Sequence, residues 1–253
     1  MTTHVVSDTT ALFGRSMRHV TRSVDTIITV TITPIALMLL FVYVFGGAIE
    51  TGSQRYVDYL LPGILLITIA SGTSYTAFRL FGDLQSGIFQ RFDSMPIARS
   101  AALWSHVLTS MVSNALSVMV VVLVALAMGF RTSSGPLEWL AVIGLLSLFT
   151  LAITWIAVIP GLLAKTVDGA SAFSYPLIFL PFVSSSFVPT DSMPGPVRAF
   201  AEHQPVTSIV DTIRALLAGD PVGSEVWIAT GWCMGILVVA YVVATSIHRR
   251  KVR

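Results

Sequence analysis

The chain has 253 residues, and only 28 of them are Asp, Glu, Lys or Arg. That share of 11% is less than half of the roughly 25% typical of a soluble domain, while 54% of residues are hydrophobic and mean hydropathy is +0.81. These values exclude a soluble enzyme, a nucleic-acid-binding domain and a disordered chain, and the net charge of +2 adds no argument for a nucleic-acid partner.

Six runs carry no charged residue at all: 26–49, 59–78, 100–130, 139–164, 169–190 and 226–248. About 20 apolar residues in a helix cross the hydrocarbon core of a bilayer. The sequence therefore predicts an all-α integral membrane protein with six transmembrane helices over 26–248. Stretches such as VVVLVALAMGF lack the alternation of a barrel strand. Six spans place both termini on one side. With the termini cytoplasmic, 11 Lys and Arg lie inside and 4 outside, whereas five acids lie inside and eight outside. The positive-inside rule makes both termini cytoplasmic.

In chain order, 1–25 is a polar N-terminal region with no apolar core beside a cleavage site, so the first span is expected to act as its own insertion signal. Within it Phe13, Met17, Val20 and Val24 share one helical face, and Arg15, Arg18 and Arg22 another. This pattern predicts an amphipathic helix on the inner leaflet. The first span starts near Asp25 and contains Pro34. Glu50–Asp58 is a short outer loop, and Pro62 is expected to open the second span. Residues 79–105 form the longest inner connection. On the third span, Ser110, Ser113, Asn114 and Ser117 make a polar stripe, which serves either interhelical hydrogen bonding or one wall of a substrate path or dimer interface. Arg131–Glu138 is a tight outer turn, the fourth span ends at Pro160-Gly161, and Lys165–Asp168 is an inner turn. Pro176 and Pro181 predict a bent or broken fifth span.

The outer segment 191–223 then carries a helix of about 13 residues, opened by Pro205 and closed by Gly219. It is too short to span, so it is expected to lie on the outer surface or dip into the membrane. Val206, Ile209, Val210, Ile213, Leu216 and Leu217 share its apolar face, and Asp211 and Arg214 are spaced to pair. The sixth span has Trp227 and Trp232 toward its outer end, and 249–253 is a basic cytoplasmic tail.

The chemistry expected of the chain is equally bounded. GLLAKT at 161–166 lacks both glycines of a phosphate-binding loop, so ATP hydrolysis would need a partner. No carboxylate lies inside a span, which argues against an ion-coupled transporter working alone, although charges at span edges keep that alternative open. Gly72-Thr73-Ser74 fits a nucleophile pattern, but His4, His19, His106, His203 and His248 all sit in tails, outer segments or span edges, so an intramembrane enzyme is the least favoured reading. The single cysteine, Cys233, forms no intrachain disulfide and reads as a packing residue. No catalytic or metal site is expected.

Two segments, FGDLQSGIFQRFDSMPIARS (81–100) and SSFVPTDSMPGPVRAFAEHQPVTSIVDTIRALLAGDP (185–221), with YLLPGI (59–64), resemble the type-2 ABC transporter permease family, and within it the daunorubicin-resistance type of drug exporter permease. The resemblance implies a permease domain over 26–248, in a bacterial plasma membrane. It implies an ABC ATPase subunit that holds ATP and Mg, a second permease copy (the same chain or a sister), contact with membrane lipid, and hydrophobic or amphiphilic cargo moved outward. This chain would bind no cofactor and no nucleic acid. The inner motif matches at Asp83, Gly87, Arg91, Phe92, Met95, Pro96, Ile97 and Arg99, which implies an ATPase-coupling helix in the 79–105 connection, with Asp83 where many members have Glu. Ile88, Phe89 and Phe92 make that segment apolar enough to fit a partner's groove. The outer motif, including Phe187, Pro189, Pro194, Phe200, Pro205, Asp211 and Arg214, implies a helical hairpin that closes the exit.

Overall fold

Away from water, a backbone rich in Leu, Ile and Val satisfies its N–H and C=O groups within a helix. The computed structural model describes residues 9–10, 12–14, 24–47, 55–87 and 99–251, and every regular element among them is helical. The chain forms α1 (Val24–Leu40) with a π-helical extension (Phe41–Phe45), α2 (Tyr56–Gln85), α3 (Arg99–Ala127) and α4 (Pro136–Leu163). Two short helices follow, α5 (Val167–Ser171) and α6 (Ser174–Phe179), then 3-10 turns at Leu180–Val183 and Thr190–Ser192. The hairpin α7 (Gly195–His203) and α8 (Pro205–Ala218) leads into α9 (Glu225–Lys251). Among the described residues, five stretches are long and apolar enough to cross a membrane: Ile28–Phe45, Tyr56–Gln85, Ala101–Ala127, Pro136–Leu163 and Glu225–Arg250. They coincide with predicted spans one to four and six. Of the predicted amphipathic N-terminal helix, 9–10 and 12–14 are helical, and its arginines lie outside the described residues.

Helix α2 sits at the centre, packed against α1, α3, α4, α5, α6 and α8. Leu60, Leu61, Ile64, Ile67 and Ile69 are fully buried on it. Small residues bring its neighbours close, as expected where apolar helices meet without water. Gly63 lies against Ser186, Gly72 against the Asn114 side chain, and Gly161 of α4 against the Ala77 carbonyl and Leu80. Helix α4 is the second hub, and α9 packs along it and on α8.

The predicted fifth span is no single helix. Pro181 cannot donate to the Leu177 carbonyl, α6 gives way to a 3-10 turn, and Ser184 is fully extended (φ −145°, ψ −177°). The segment still runs the length of α2. It leaves α4 beside Ala77 and Leu80, and it ends with Ser186 at Gly63 and with the Phe187 carbonyl accepting from the Tyr56 hydroxyl at 3.0 Å.

Three boundaries differ from expectation. Pro62 lies inside α2, which starts at Tyr56 with Asp58 in its first turn, where a carboxylate suits the helix dipole. Helix α4 passes Pro160 and stops at Leu163, before the extended Ala164. The inner connection is shorter than 79–105, because α2 continues through Arg79 and Asp83 to Gln85 and α3 starts at Arg99. Charge does not end a helix, whereas the left-handed Gly87 (φ +71°) does so here. Helix α8, expected to lie on the outer surface or dip into the membrane, is enclosed by α9, α4 and α2, with Ile209, Val210 and Ile213 fully buried.

A Cβ on Gly63 would fall 2.5 Å from the Ser186 Cβ and 3.3 Å from its Cα, so the backbone of the broken segment has to shift. Gly63→Ala is expected to lower stability by about 1–3 kcal/mol. Gly231→Ala, whose Cβ would meet nothing within 4 Å, is expected to be neutral or stabilising. Thermal unfolding of the purified variants in detergent checks both.

Candidate functional site

The hairpin α7–α8 is built around one guanidinium. Arg214, one turn from the end of α8, has a side chain only 14% exposed. Its NH1 pairs with Asp211 Oδ1 one turn earlier, NH2 donates to the Ser185 carbonyl at 2.7 Å, and Nε donates to the Tyr59 carbonyl at 3.2 Å. Its planar face lies over the Tyr59 ring, with the guanidinium carbon 3.8 Å from the centroid. Ser185 Oγ donates to the same Asp211 oxygen at 2.6 Å. The fork of Arg thus ties α8, the end of the broken segment and the first turn of α2 into one joint.

Both ends of α8 are also satisfied. At its start, Gln204 Oε1 accepts the Val206 N–H at 3.1 Å, while Gln204 Nε2 reaches the Val183 carbonyl and Thr207 Oγ1. At its finish, the left-handed Gly219 (φ +76°) turns the chain, and the hydroxyls of Thr132 and Ser134 donate to the Leu217 and Leu216 carbonyls. A short helix is stable in this buried position because its orphan backbone groups have partners.

The other predicted hairpin residues fall into two groups. Phe187 is buried, stacked on Phe182 (4.6 Å between centroids, 2° between planes) and 4.7 Å from Phe41. Pro189, Pro194 and Pro205 punctuate the segment. Pro189 precedes the 190–192 turn, Pro194 precedes α7, and Pro205 opens α8. Phe200 stands apart, half-exposed on α7. On that exposed helix Arg198 donates to Glu202 and pairs with Asp191, both at 2.7 Å, and these carboxylates, Glu202 first, push its pKa further up.

At the opposite end of α2, Asp83 Oδ2 lies 3.2 Å from Nε2 of the buried His106 of α3. Gly87 closes α2. Ile88, Phe89, Arg91, Phe92, Met95 and Pro96 lie outside the described residues. Asp83 and His106 thereby join α2 to α3 at the point where the inner connection begins.

The polar stripe on α3 is divided. Ser110 Oγ lies 3.2 Å from Thr154 Oγ1 of α4, an interhelical bond. Asn114 Nδ2 donates to the Ser110 carbonyl and hydroxyl at 3.0 and 3.2 Å. Ser117 is buried. Among the described residues, Ser113 Oγ and Asn114 Oδ1 are buried atoms that find no hydrogen-bond partner. Asn114, with Ser147 and Thr150 of α4, forms the polar part of an otherwise apolar cavity of about 370 Å³ between α2, α3 and α4. Sequence reasoning missed Tyr59, Ser185, Thr132, Ser134 and the Asp83–His106 pair. Each is a contact between segments far apart in the chain, and no local spacing signals it.

Residues 7–218 match the ABC-2 type transporter family. The daunorubicin resistance ABC transporter permease protein DrrB1 of Streptomyces coeruleorubidus is 27% identical over 229 residues, covering 89% of this chain and 80% of its own length. The probable doxorubicin resistance ABC transporter permease protein DrrC of Mycobacterium tuberculosis is 25% identical over 249 residues, covering 97% and 89%. A putative transport permease, ycf38, of Cyanophora paradoxa is 26% identical over 197 residues, covering 76% and 67%.

Removal of the Arg214 fork leaves Asp211 without its cation and takes one donor from each of the Tyr59 and Ser185 carbonyls. Arg214→Ala is expected to cost about 2–4 kcal/mol. Arg214→Lys, which keeps the charge but not the fork, should fall between it and the parent. Thermal unfolding and protease sensitivity of the 190–204 segment measure both.

Proposed function

The chain belongs to the ABC-2 type transporter family, and from that premise we propose that it is the membrane-spanning permease half of an ATP-driven exporter of hydrophobic or amphiphilic compounds. It is a multi-pass protein of the bacterial plasma membrane whose relatives are transporter permeases. In this reading a separate ABC ATPase holds ATP and Mg and supplies the power, two permease chains pair, and this chain performs no catalysis. The relatives named for daunorubicin and doxorubicin resistance support apolar cargo and outward transport.

Six crossings with both termini inside fit the course of the chain. Residues 164–187 pass from the Leu80 end of α2 to its Tyr56 end, although no single helix makes the passage. At 1.5 Å per residue, the helix between those points is about 36 Å long, enough for a hydrocarbon core of about 30 Å.

The observation that carries the coupling reading is the continuity of α2. This central helix leads directly into the inner segment that would meet the ATPase, and the Asp83–His106 pair joins its end to α3. Displacement of the inner segment on ATP binding would move α2, around which α1, α3, α4 and α8 are packed. At the far end, Arg214 couples α2 to the hairpin, so the same movement would shift the exit side.

Arg91→Glu combined with Phe92→Ala is expected to weaken copurification of the ATPase at least tenfold while membrane insertion stays normal. Unchanged association would remove that segment from the interface. Efflux that survives ATP depletion and collapses with the proton gradient would overturn the ATP-driven reading in favour of an ion-coupled transporter.

A further inference from the structure

The cavity between α2, α3 and α4 is a groove closed at both ends. At one end Ser110 Oγ meets Thr154 Oγ1 at 3.2 Å and Trp104 stands edge-on to Trp155, 5.3 Å between centroids, so α3 and α4 are pinned together. At the other end the turn at 128–135 joins them. Between these points they part over the fully buried Ile69 of α2. The lining presents hydrocarbon. Asn114 Nδ2 is spent on the Ser110 carbonyl and hydroxyl, and Oδ1 packs onto Gly72, outside the groove. Thr150 Oγ1 donates to the Leu146 carbonyl at 2.7 Å. Ser147 adds one hydroxyl, and a helix serine can donate to a carbonyl of its own preceding turn. All other lining residues are apolar. The mouth opens between Met119, Leu123 and Ile143, each more than half exposed and each within a membrane-spanning stretch. The groove is therefore continuous with the surface that the bilayer covers. It runs from Trp139 to Thr150 on α4 and from Leu123 to Met111 on α3, about 17 Å along the helix axes at about 1.5 Å per residue. That is close to one leaflet's share of a hydrocarbon core of about 30 Å. A volume of about 370 Å³ drawn out over that length leaves a mean section of about 22 Å², the width of one hydrocarbon chain.

We propose that this groove holds one acyl chain of a phospholipid, drawn from the leaflet on the Trp139 side, as a fixed part of the protein. The headgroup stays at the interface and the chain runs between α3 and α4 to the middle of the bilayer, so no polar group is buried without a partner. Inside a membrane no hydrophobic gain draws the chain in. Dispersion contact with three helices holds it, because an empty groove would leave its lining without partner atoms. The chain acts as a spacer that sets the separation of α3 and α4. In the exporter reading the leaflet is the outer one, but occupancy of the groove does not rest on that reading.

The test uses the full chain, stripped of lipid in a maltoside detergent and without an ATPase, so failure to recruit an ATPase and failure of this site are separate results. A phosphatidylcholine brominated at the middle of one chain is titrated against tryptophan emission, which bromine quenches on contact. Expected is quenching that saturates at one lipid per chain, with Trp139→Phe removing the saturable part. Ala115→Phe, whose ring fills the groove from an exposed lining position, should weaken binding at least about tenfold. Val239→Phe, 64% exposed on α9 and outside the groove, should leave it unchanged. Ser147→Phe on the facing wall serves in place of Ala115→Phe if that variant does not fold. Quenching that rises with lipid and never saturates, as ordinary solvation of the surface would give, or unchanged affinity in the groove-filling variant, overturns the proposal. So does displacement of the lipid by an equimolar amount of anthracene, which would mark a site for a small apolar ligand. Loss of quenching as the protein concentration is raised would assign the groove to a second copy and overturns it as well.

Discussion

A charged side chain held among apolar helices has to be paired and hydrogen-bonded, and around Arg214 the fold meets that condition with groups from three segments. Asp211, the Ser185 carbonyl and the Tyr59 carbonyl each take part of the guanidinium, and the Tyr59 ring covers its face. The rest of the hairpin end follows from this joint. Helix α8 is seated inward, the broken segment ends beside α2, and the Phe187–Phe182–Phe41 cluster closes beneath it. Without such a joint, a short helix and an irregular segment would expose unsatisfied backbone groups at membrane depth.

Helix α2 then acts as the axis of the molecule. Small residues let its neighbours approach it closely, and both of its ends are tied by polar contacts to other elements, Tyr59 to α8 and Asp83 to α3. A helix packed on all sides moves as a rigid element, so a displacement at one end is felt at the other. That is a physical basis for coupling in a chain whose relatives are transporter permeases. The polar stripe on α3 divides along the same logic. Ser110 makes an interhelical bond to α4, and Asn114 turns its unpaired oxygen toward α2 beside a cavity.

Much of the hairpin is legible because its signals are local. Pro205 and Gly219 bound α8, and Asp211 and Arg214 are three residues apart, so periodicity and capping rules reach them. Pro176 and Pro181 signal the broken segment for the same reason. Pro62 misleads, because a proline near a helix start is usual but a membrane helix also tolerates one inside its first turns. Arg79 and Asp83 mislead because charge reads as a boundary, whereas only Gly87 supplies the left-handed turn that ends α2.

The sequence by itself determined the solvent of this protein, its long spans and the ends of its short outer helix, since hydropathy and capping act over a few neighbouring residues. Tertiary structure decided where α8 sits, which carbonyls Arg214 takes, that His106 meets Asp83, and that the Asn114 amide oxygen packs onto Gly72. Each of these joins residues tens of positions apart, and their cost or benefit depends on which surfaces the packed helices remove from lipid and water. The low charge count restricts where such contacts can form, but only packing chooses the partners.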